Sequence, residues 1–230
     1  MKELTRLKLL LGSGSPRRKQ LLEELGLNFR IEKSNADEIH PPGLMREEIA
    51  IRLAEEKANV LVSRLKGDEI LITADTIVWL NHAMLGKPAD HSEAIEMLRK
   101  LNGNTHQVYT AICLQQYENR KTISVSSQVT FRQCTDNEIS AYVDFYHPYD
   151  KAGAYGAQEC LPLGTDPCSK EEKDFLNSIG RSDLVEKTLS QNGKKIIPFI
   201  SNIEGSYFNV MGLPVVELVS ELYSISDQQK

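Results

Sequence analysis

A short apolar run that ends in a loop of small residues and then opens a helix constrains the start of this chain more than any other segment. Leu7 to Leu11 is too short for a helix and is bounded by Gly12, which makes it a buried strand. Gly12-Ser13-Gly14-Ser15-Pro16-Arg17-Arg18 follows, and Leu21, Leu22 and Leu25 then fall on one helical face that stops at Gly26. Ser15 is placed to cap that helix and Pro16 suits its first position. A helix N-terminus presents unpaired N–H groups and a partial positive charge, and small residues let a phosphate come close to them. Arg17 and Arg18 add planar donors suited to phosphate or a nucleobase carbonyl. The loop has neither the Gly-Lys-Ser/Thr of a P-loop nor the spacing of a dinucleotide fingerprint. Taken alone it also reads as a turn, an N-cap and a solvated basic pair.

The remaining pattern alternates. A helix is expected from about Arg46 to Leu65, with Ile49, Leu53, Ala54, Ala58 and Leu61 on one face and Lys57 on or beside it. Glu69 to Thr73 reads as a strand, Ala74-Asp75-Thr76 as a polar break, and Ile77 to Leu80 as a resumed β pattern that turns at Asn81-His82 and returns to Gly86-Lys87-Pro88. Ser92 is expected to cap a helix carrying Ile95, Leu98 and Leu101. Two long strands, His106 to Gln116 and Thr122 to Phe131, flank the turn Glu118 to Lys121, and Thr135 with Glu138 forms a capping box for a helix ending near Phe145. Asp150 to Gln158 is a small-residue loop shaped around something. Two short helical patterns follow, one capped by Ser169 with Glu172 and one starting near Ser182, then a turn at Gln191-Asn192-Gly193, a strand from Ile196 to Ile203, a Gly205-Ser206 loop and a closing helix to Tyr223. The class is mixed α/β.

Length and charge narrow the functions open to such a fold. At 230 residues the chain fits one large domain or two lobes sharing a cleft, with enough core to need no disulfide or metal staple. A net charge of −5 removes the broad basic surface on which nucleic-acid binding depends, so any anion must be bound locally. Cys113, Cys134, Cys160 and Cys168 form no CxxC pair and have no histidine at zinc-finger spacing, as expected of free thiols in a reducing compartment. No apolar stretch reaches the roughly 18 to 20 residues of a membrane span, so neither membrane nor nucleic acid is an expected partner and a cytoplasmic location is expected.

Candidate chemical groups lie in the loops between these elements. Asp75, between two apolar runs, is placed to bind a divalent metal or to deprotonate water, although a single aspartate there also serves as a turn residue. Asp37-Glu38 offers a further oxygen ligand of the kind Mg²⁺ prefers. Lys57 and Lys87 can hold a polyphosphate; the alternative for Lys57 is a side chain running along a helix flank to water. His40, His82, His91, His106 and His147 show no metal spacing and receive no catalytic role. Tyr155 and Tyr207 can flank a base or simply pack.

Together these residues carry a resemblance. The Gly12 to Arg18 loop with Leu21-Leu22, Arg52-Leu53-Ala54 with Lys57-Ala58, Ala74-Asp75-Thr76, Gly86-Lys87-Pro88, Asp150-Lys151-Ala152-Gly153-Ala154-Tyr155 and Asn209-Val210-Met211-Gly212-Leu213-Pro214 occur in the order seen in the Maf family of nucleoside triphosphate pyrophosphatases. The resemblance implies a two-lobed mixed α/β fold around a cleft, similar to that of inosine triphosphatase-like enzymes, and a homodimer. It also implies metal-dependent hydrolysis of a nucleoside triphosphate to the monophosphate and pyrophosphate. By matching motif, Asp75 resembles the catalytic acidic residue, and Arg17, Thr76 and Gln158 stand where the subgroup acting on dTTP and UTP sets its specificity. A sister subgroup acts on 7-methyl-GTP, and the family is also associated with cell-division control, so a different base preference or a non-catalytic regulator are the alternatives. On this reading Ser13, Arg18, Lys57 and Lys87 hold the triphosphate, while Asp75 and Glu38 hold Mg²⁺ or Mn²⁺.

The chain departs from the family pattern at two places. Ala157-Gln158-Glu159 puts a carboxylate beside the base-reading glutamine. Residues from about 160 to 195 read as an insertion of roughly thirty residues in a two-lobed domain spanning 1–230: a lid, a dimer contact or a solvated appendage.

Overall fold

The computed structural model describes residues 1–36, 43–189 and 196–228. In chain order its elements are β1 (Leu9–Leu11), α1 (Pro16–Glu24), β2 (Phe29–Ile31), α2 (Glu47–Leu61), β3 (Ile70–Leu80), β4 (Ala83–Leu85), α3 (His91–Leu101), β5 (Thr105–Gln116) and β6 (Asn119–Phe131). They continue with α4 (Asp136–Tyr146), α5 (Ala157–Cys160), α6 (Lys170–Ser178), α7 (Asp183–Leu189), β7 (Ile200–Glu204), α8 (Tyr207–Val210) and α9 (Val215–Gln228). The strands form one mixed sheet in the order β2-β1-β3-β5-β6-β7, with β4 paired to β3. β1 runs parallel to β2 and β3; the other pairs are antiparallel.

The pleat of β3 divides the core. Ile70, Ile72, Ala74, Val78 and Leu80 belong to a large cluster that also holds α1, α3, α4 and α9, whereas Leu71, Ile77 and Trp79 pack with the apolar stripe of α2 in a second cluster. Burying a leucine or isoleucine in either cluster contributes about 2 kcal/mol relative to exposure. Strand alternation therefore sends Asp75 to the α2 side and Thr76 to the α1 side.

The expected polar break at Ala74-Asp75-Thr76 is absent: β3 is one continuous strand of 11 residues, and Asp75 sits in its middle, paired across to Ala111. The polar side chains survive there because each finds a tertiary partner. What breaks is the neighbouring edge. β1 pairs with β3 only as far as Ile72, and the pairing of β3 with β4 starts only at Val78, so the edge of β3 between them faces the loop that leaves β1. Gly12 extends the pairing by one N–H, donated to the Ile72 carbonyl at 2.8 Å, and the chain then turns away into α1.

Helix starts differ in detail from expectation. Ser15 is the N-cap of α1 and Pro16 its first residue, but the Ser15 side chain makes no cap bond; its own N–H donates to Ser13 Oγ instead, at 3.2 Å. α3 begins one residue before Ser92, and the cap is Asp90, whose carboxylate accepts from the Glu93 N–H. The capping boxes at Thr135 with Glu138 and at Ser169 with Glu172 are formed. The β5–β6 turn is tighter than expected: β6 starts at Asn119, after Tyr117 takes a φ of 52°. β7 starts at Ile200, and the Gly205-Ser206 loop leads into the unexpected short helix α8.

The segment after Cys160 packs against the body of the fold where it is described. Leu176 of α6 and Leu184 of α7 are fully buried in the large cluster, and Arg181 donates to the Glu24 carbonyl at the end of α1. The Gln191-Asn192-Gly193 turn lies outside the described residues. Among the described residues, no helix is long and apolar enough to cross a membrane. No disulfide joins any of the four cysteines.

Candidate active-site cleft

A cleft of about 300 Å³ opens where the β1 edge of β3 is vacated. The loop from Gly12 to Arg18 forms one side, and Asp75 and Thr76 of β3 stand at its back. Lys57 reaches in from α2, Lys87 from the loop after β4, and Lys151 with Asp150 from the loop after α4. Among the described residues, five cationic side chains and two carboxylates line it, in a protein whose net charge is −5. Positive charge is gathered here, as an anionic ligand would require.

Asp75 and Lys57 form the polar centre. Lys57 projects from the edge of the α2 stripe beside Ala58, and its Nζ donates to Asp75 Oδ1, the two side chains being 12% and 9% exposed. One turn earlier on α2, the Ala54 carbonyl accepts from Thr73 Oγ1 at 2.7 Å, which fixes the helix against β3. The pair is thus set by one helix face against one strand face.

Thr76 faces the other way and joins a different network. Arg18, buried in α1, donates from Nε to the Gly212 carbonyl at 2.7 Å, from Nη1 to Ser13 Oγ at 3.2 Å and from Nη2 to Thr76 Oγ1 at 3.1 Å. Thr76 Oγ1 also shares a hydrogen bond with Thr110 Oγ1, whose hydroxyl lies 2.9 Å from the Asn209 carbonyl. In this structure Arg18 braces the walls of the cleft, joining three chain segments through one guanidinium. Gly212 is required at that junction: its φ is +96°, and a Cβ there would lie 3.2 Å from Thr76 Oγ1.

Of the residues expected from the sequence, Ser13, Arg17, Arg18, Lys57, Asp75, Thr76 and Lys87 all line the cleft. Arg17 Nη1 lies 3.7 Å from Asp150 Oδ2 across its mouth. Gln158 is not among the lining residues; it sits on α5 behind Gly156, and its buried Oε1 finds no donor among the described residues. Glu38 lies outside the described residues.

Glu159 is not among the residues that line the cleft. It is buried, accepts from Tyr142 Oη at 2.5 Å, and lies 3.9 Å from Lys151 Nζ; the Tyr142 oxygen in turn accepts from the Gly156 N–H. The carboxylate beside the glutamine is an anchor for the loop, and burial pushes the Tyr142 hydroxyl well above its ordinary pKa.

Lys151 is the lining cation whose role the sequence did not disclose. It is buried, with Nζ 2.9 Å from Asp150 Oδ1. Burial works against ionisation of Asp150, but the hydrogen bond and charge of Lys151, with Arg17, outweigh it and hold that carboxyl below its ordinary value. The signal was a lysine inside a loop rich in small residues.

Behind the cleft, Tyr155 is held by His106, whose Nε2 is 2.7 Å from the Tyr155 hydroxyl, and both rings pack edge-on against Phe131. Burial lowers the His106 pKa to about 3, so the imidazole is neutral at ordinary pH.

For a divalent cation, the donor chemistry is that of a ligand-borne ion. Among the described residues no three His, Cys, Asp or Glu side chains converge into a cage. Asp75 and Asp150 line the cleft, and Mg²⁺ is commonly held by one or two carboxylates together with substrate phosphates. The residues present fit that arrangement, with Asp75 and Asp150 the carboxylates available to it among the described residues.

A mixed α/β sheet, with a strand–loop–helix anion cradle and a lysine-paired aspartate at a vacated strand edge, defines a protein built around a small cleft for a polyanion. The chain belongs to the Maf family: the family model described as Maf-like protein matches residues 8–166. A dTTP/UTP pyrophosphatase of Bacteroides fragilis is 40% identical over 220 residues, spanning 95% of this chain and 96% of the relative. One of Phocaeicola vulgatus is 38% identical over 223 residues, spanning 96% and 98%. Among solved structures, the Staphylococcus aureus Ham1 protein is similar at 16% identity with a TM-score of 0.38, covering 78% of this chain and 99% of that one, a likeness too slight to bear on function.

Proposed function

We propose that this chain is a nucleoside triphosphate pyrophosphatase that converts dTTP and UTP to the monophosphate and pyrophosphate. The observation that carries the reading is the Lys57–Asp75 pair standing among Arg17, Lys87 and Lys151 in a cleft of about 300 Å³. The names of the relatives support the same substrates.

Asp75 accepts the proton of a water aimed at the α-phosphorus, and Lys57 holds that carboxylate in place for it. Lys87 and Lys151 face the phosphate chain, while the Ser13 hydroxyl and the start of α1 receive further phosphate oxygens. Fixed positive groups aimed at the departing pyrophosphate are worth more than those that bind the whole nucleotide uniformly, because charge develops there in the transition state. A divalent cation, Mg²⁺ or Mn²⁺, supplies neutralisation of the phosphate oxygens when bound, and Asp75 with Glu38 are the residues assigned to it. We assign base selection to Arg17, Thr76 and Gln158. Gln158 stands behind the wall, so its part in base selection requires the α5 turn to move toward the ligand. A homodimer and a cytoplasmic location belong to the same reading.

The test is pyrophosphate release from a panel of dTTP, UTP, dCTP, dATP, dGTP and 7-methyl-GTP. The reading predicts dTTP and UTP first. Preference for 7-methyl-GTP would reassign the base, and nucleotide binding without turnover would make the protein a regulator.

A further inference from the structure

We infer that Glu172, contributed by the segment between Cys160 and Lys195, is a positioning residue for the active-site cleft; the inference rests on the pyrophosphatase reading above. The family match ends at residue 166, so this carboxylate lies outside it.

Glu172 is buried to 2% exposure and both of its oxygens are fully engaged. Oε2 accepts the Ser169 N–H at 2.9 Å, closing the capping box of α6, and the Tyr207 N–H at 3.1 Å. Oε1 accepts the Ser206 hydroxyl at 2.6 Å and the Phe208 N–H at 3.1 Å. One carboxylate therefore caps two helices, its own and α8, whose third N–H, at Asn209, is taken by Ser206 Oγ at 2.9 Å. A four-residue helix has little stability of its own, so what holds its first turn holds the helix.

The next residues along α8 form the cleft wall. Asn209 is tied to the sheet through Nδ2, which donates to the Val108 carbonyl at 3.0 Å and to Ser127 Oγ at 2.9 Å. Val210, Met211 and Gly212 then line the cleft, and the Gly212 carbonyl receives Arg18 Nε, the guanidinium that also holds Ser13 and Thr76. The stretch from Ser206 to Gly212 is pinned by Glu172 at its start and by Arg18 at its end. Loosening the first pin frees the wall that the ligand meets, without touching Lys57 or Asp75 on the other face of β3.

Steady-state kinetics of Glu172→Gln, Ser206→Ala and Leu184→Ala test this. Leu184 is buried in the same segment but has no part in the Glu172 contacts, so its truncation reports loss of packing alone. The amide of Glu172→Gln turns a donor toward backbone N–H groups; KM for dTTP is expected to rise about tenfold with kcat within about threefold of wild type. Ser206→Ala is expected to move KM the same way by about threefold. Leu184→Ala is expected to lower the melting temperature while KM stays at the wild-type value. An unchanged KM in Glu172→Gln, or an equal rise in Leu184→Ala, overturns the inference; should Glu172→Gln fail to fold, Ser206→Ala decides by the same criterion. Wild-type protein that releases no pyrophosphate from any nucleotide overturns the pyrophosphatase reading itself and this role with it, an outcome distinct from an active wild type with an indifferent Glu172.

Discussion

Lys57, on α2, donates to the carboxylate of Asp75, in the middle of β3, and the two are brought together by residues that never touch a ligand: the Thr73 hydroxyl on the Ala54 carbonyl, and the apolar stripe of α2 on Leu71 and Ile77. The site is a by-product of packing geometry. A strand that alternates its side chains and a helix that returns every third or fourth residue can present one carboxylate to one ammonium at a fixed place.

Asp75→Asn keeps the shape of the side chain and removes its ability to take a proton. Turnover of dTTP should fall by about 10² to 10⁴, the range for loss of a general base. Circular dichroism should stay close to wild type, since the amide oxygen still accepts from Lys57, with a lowered melting temperature because the charge on one side of the pair is gone. Undiminished turnover would remove Asp75 from the chemistry.

Lys57→Met replaces the ammonium with an apolar side chain of similar length and leaves Asp75 charged without this partner. Breaking a buried pair costs about 3 to 5 kcal/mol, and the opening of the cleft to water lowers this to about 2 kcal/mol here. Adding Asp75→Asn to Lys57→Met should recover most of that loss, because neither partner is then left charged and alone. Urea unfolding of the two single variants and the double variant measures the coupling; strictly additive losses would mean the two residues do not act as a pair.

Acid should unfold the protein partly through Glu69. Its two oxygens meet Arg30 Nε and Nη2, each at 2.7 Å, and Oε2 also accepts the Lys66 N–H. The Arg30 hydrogen bonds lower the Glu69 pKa from 4.5 to about 2. A carboxylate with a lowered folded-state pKa stabilises fully above its unfolded value, and that contribution fades as pH falls from 4.5 toward 2. Glu69→Gln should therefore be less stable than wild type in urea at pH 7 and nearly equal to it at pH 2.5. A gap that stays constant across this range would contradict the assignment.

His106 acts over a higher window. Burial lowers its pKa from 6.5 to about 3, so the unfolded chain takes the proton first as pH falls. Stability linked to this group is complete above 6.5 and is lost progressively toward 3. His106→Gln removes that slope: between pH 7 and 5 its unfolding free energy should change less than that of wild type. Because Nε2 of His106 also holds the Tyr155 hydroxyl at the cleft, the variant should raise KM for the nucleotide as well. Equal slopes for both proteins would place His106 in contact with water.

Where both partners of an interaction lie within a few residues, the sequence already disclosed it. The Ser169–Glu172 and Thr135–Glu138 boxes, the start of α1 at Pro16 and the Asn81-His82 turn, where φ is +49° and +67°, are such cases. The seven expected residues that line the cleft were legible because each sits in a short motif. What could not be read is what the long-range contacts decide. Thr76 looked like part of a polar break because its partners, Arg18 and Thr110, are 58 and 34 residues away. Glu159 read only as a carboxylate beside Gln158, because its donor, Tyr142, lies 17 residues away. The second helix capped by Glu172 begins more than thirty residues after it, and nothing local marks that.

Hydrolysis of dTTP in ¹⁸O-labelled water, followed by ³¹P NMR with wild type and Asp75→Asn side by side, tests the central claim most directly. Attack at the α-phosphorus predicts one pyrophosphate per nucleotide, with the label in thymidine monophosphate and neither product formed at an appreciable rate by Asp75→Asn. Label in the pyrophosphate, release of orthophosphate, or equal turnover by the variant would contradict the account.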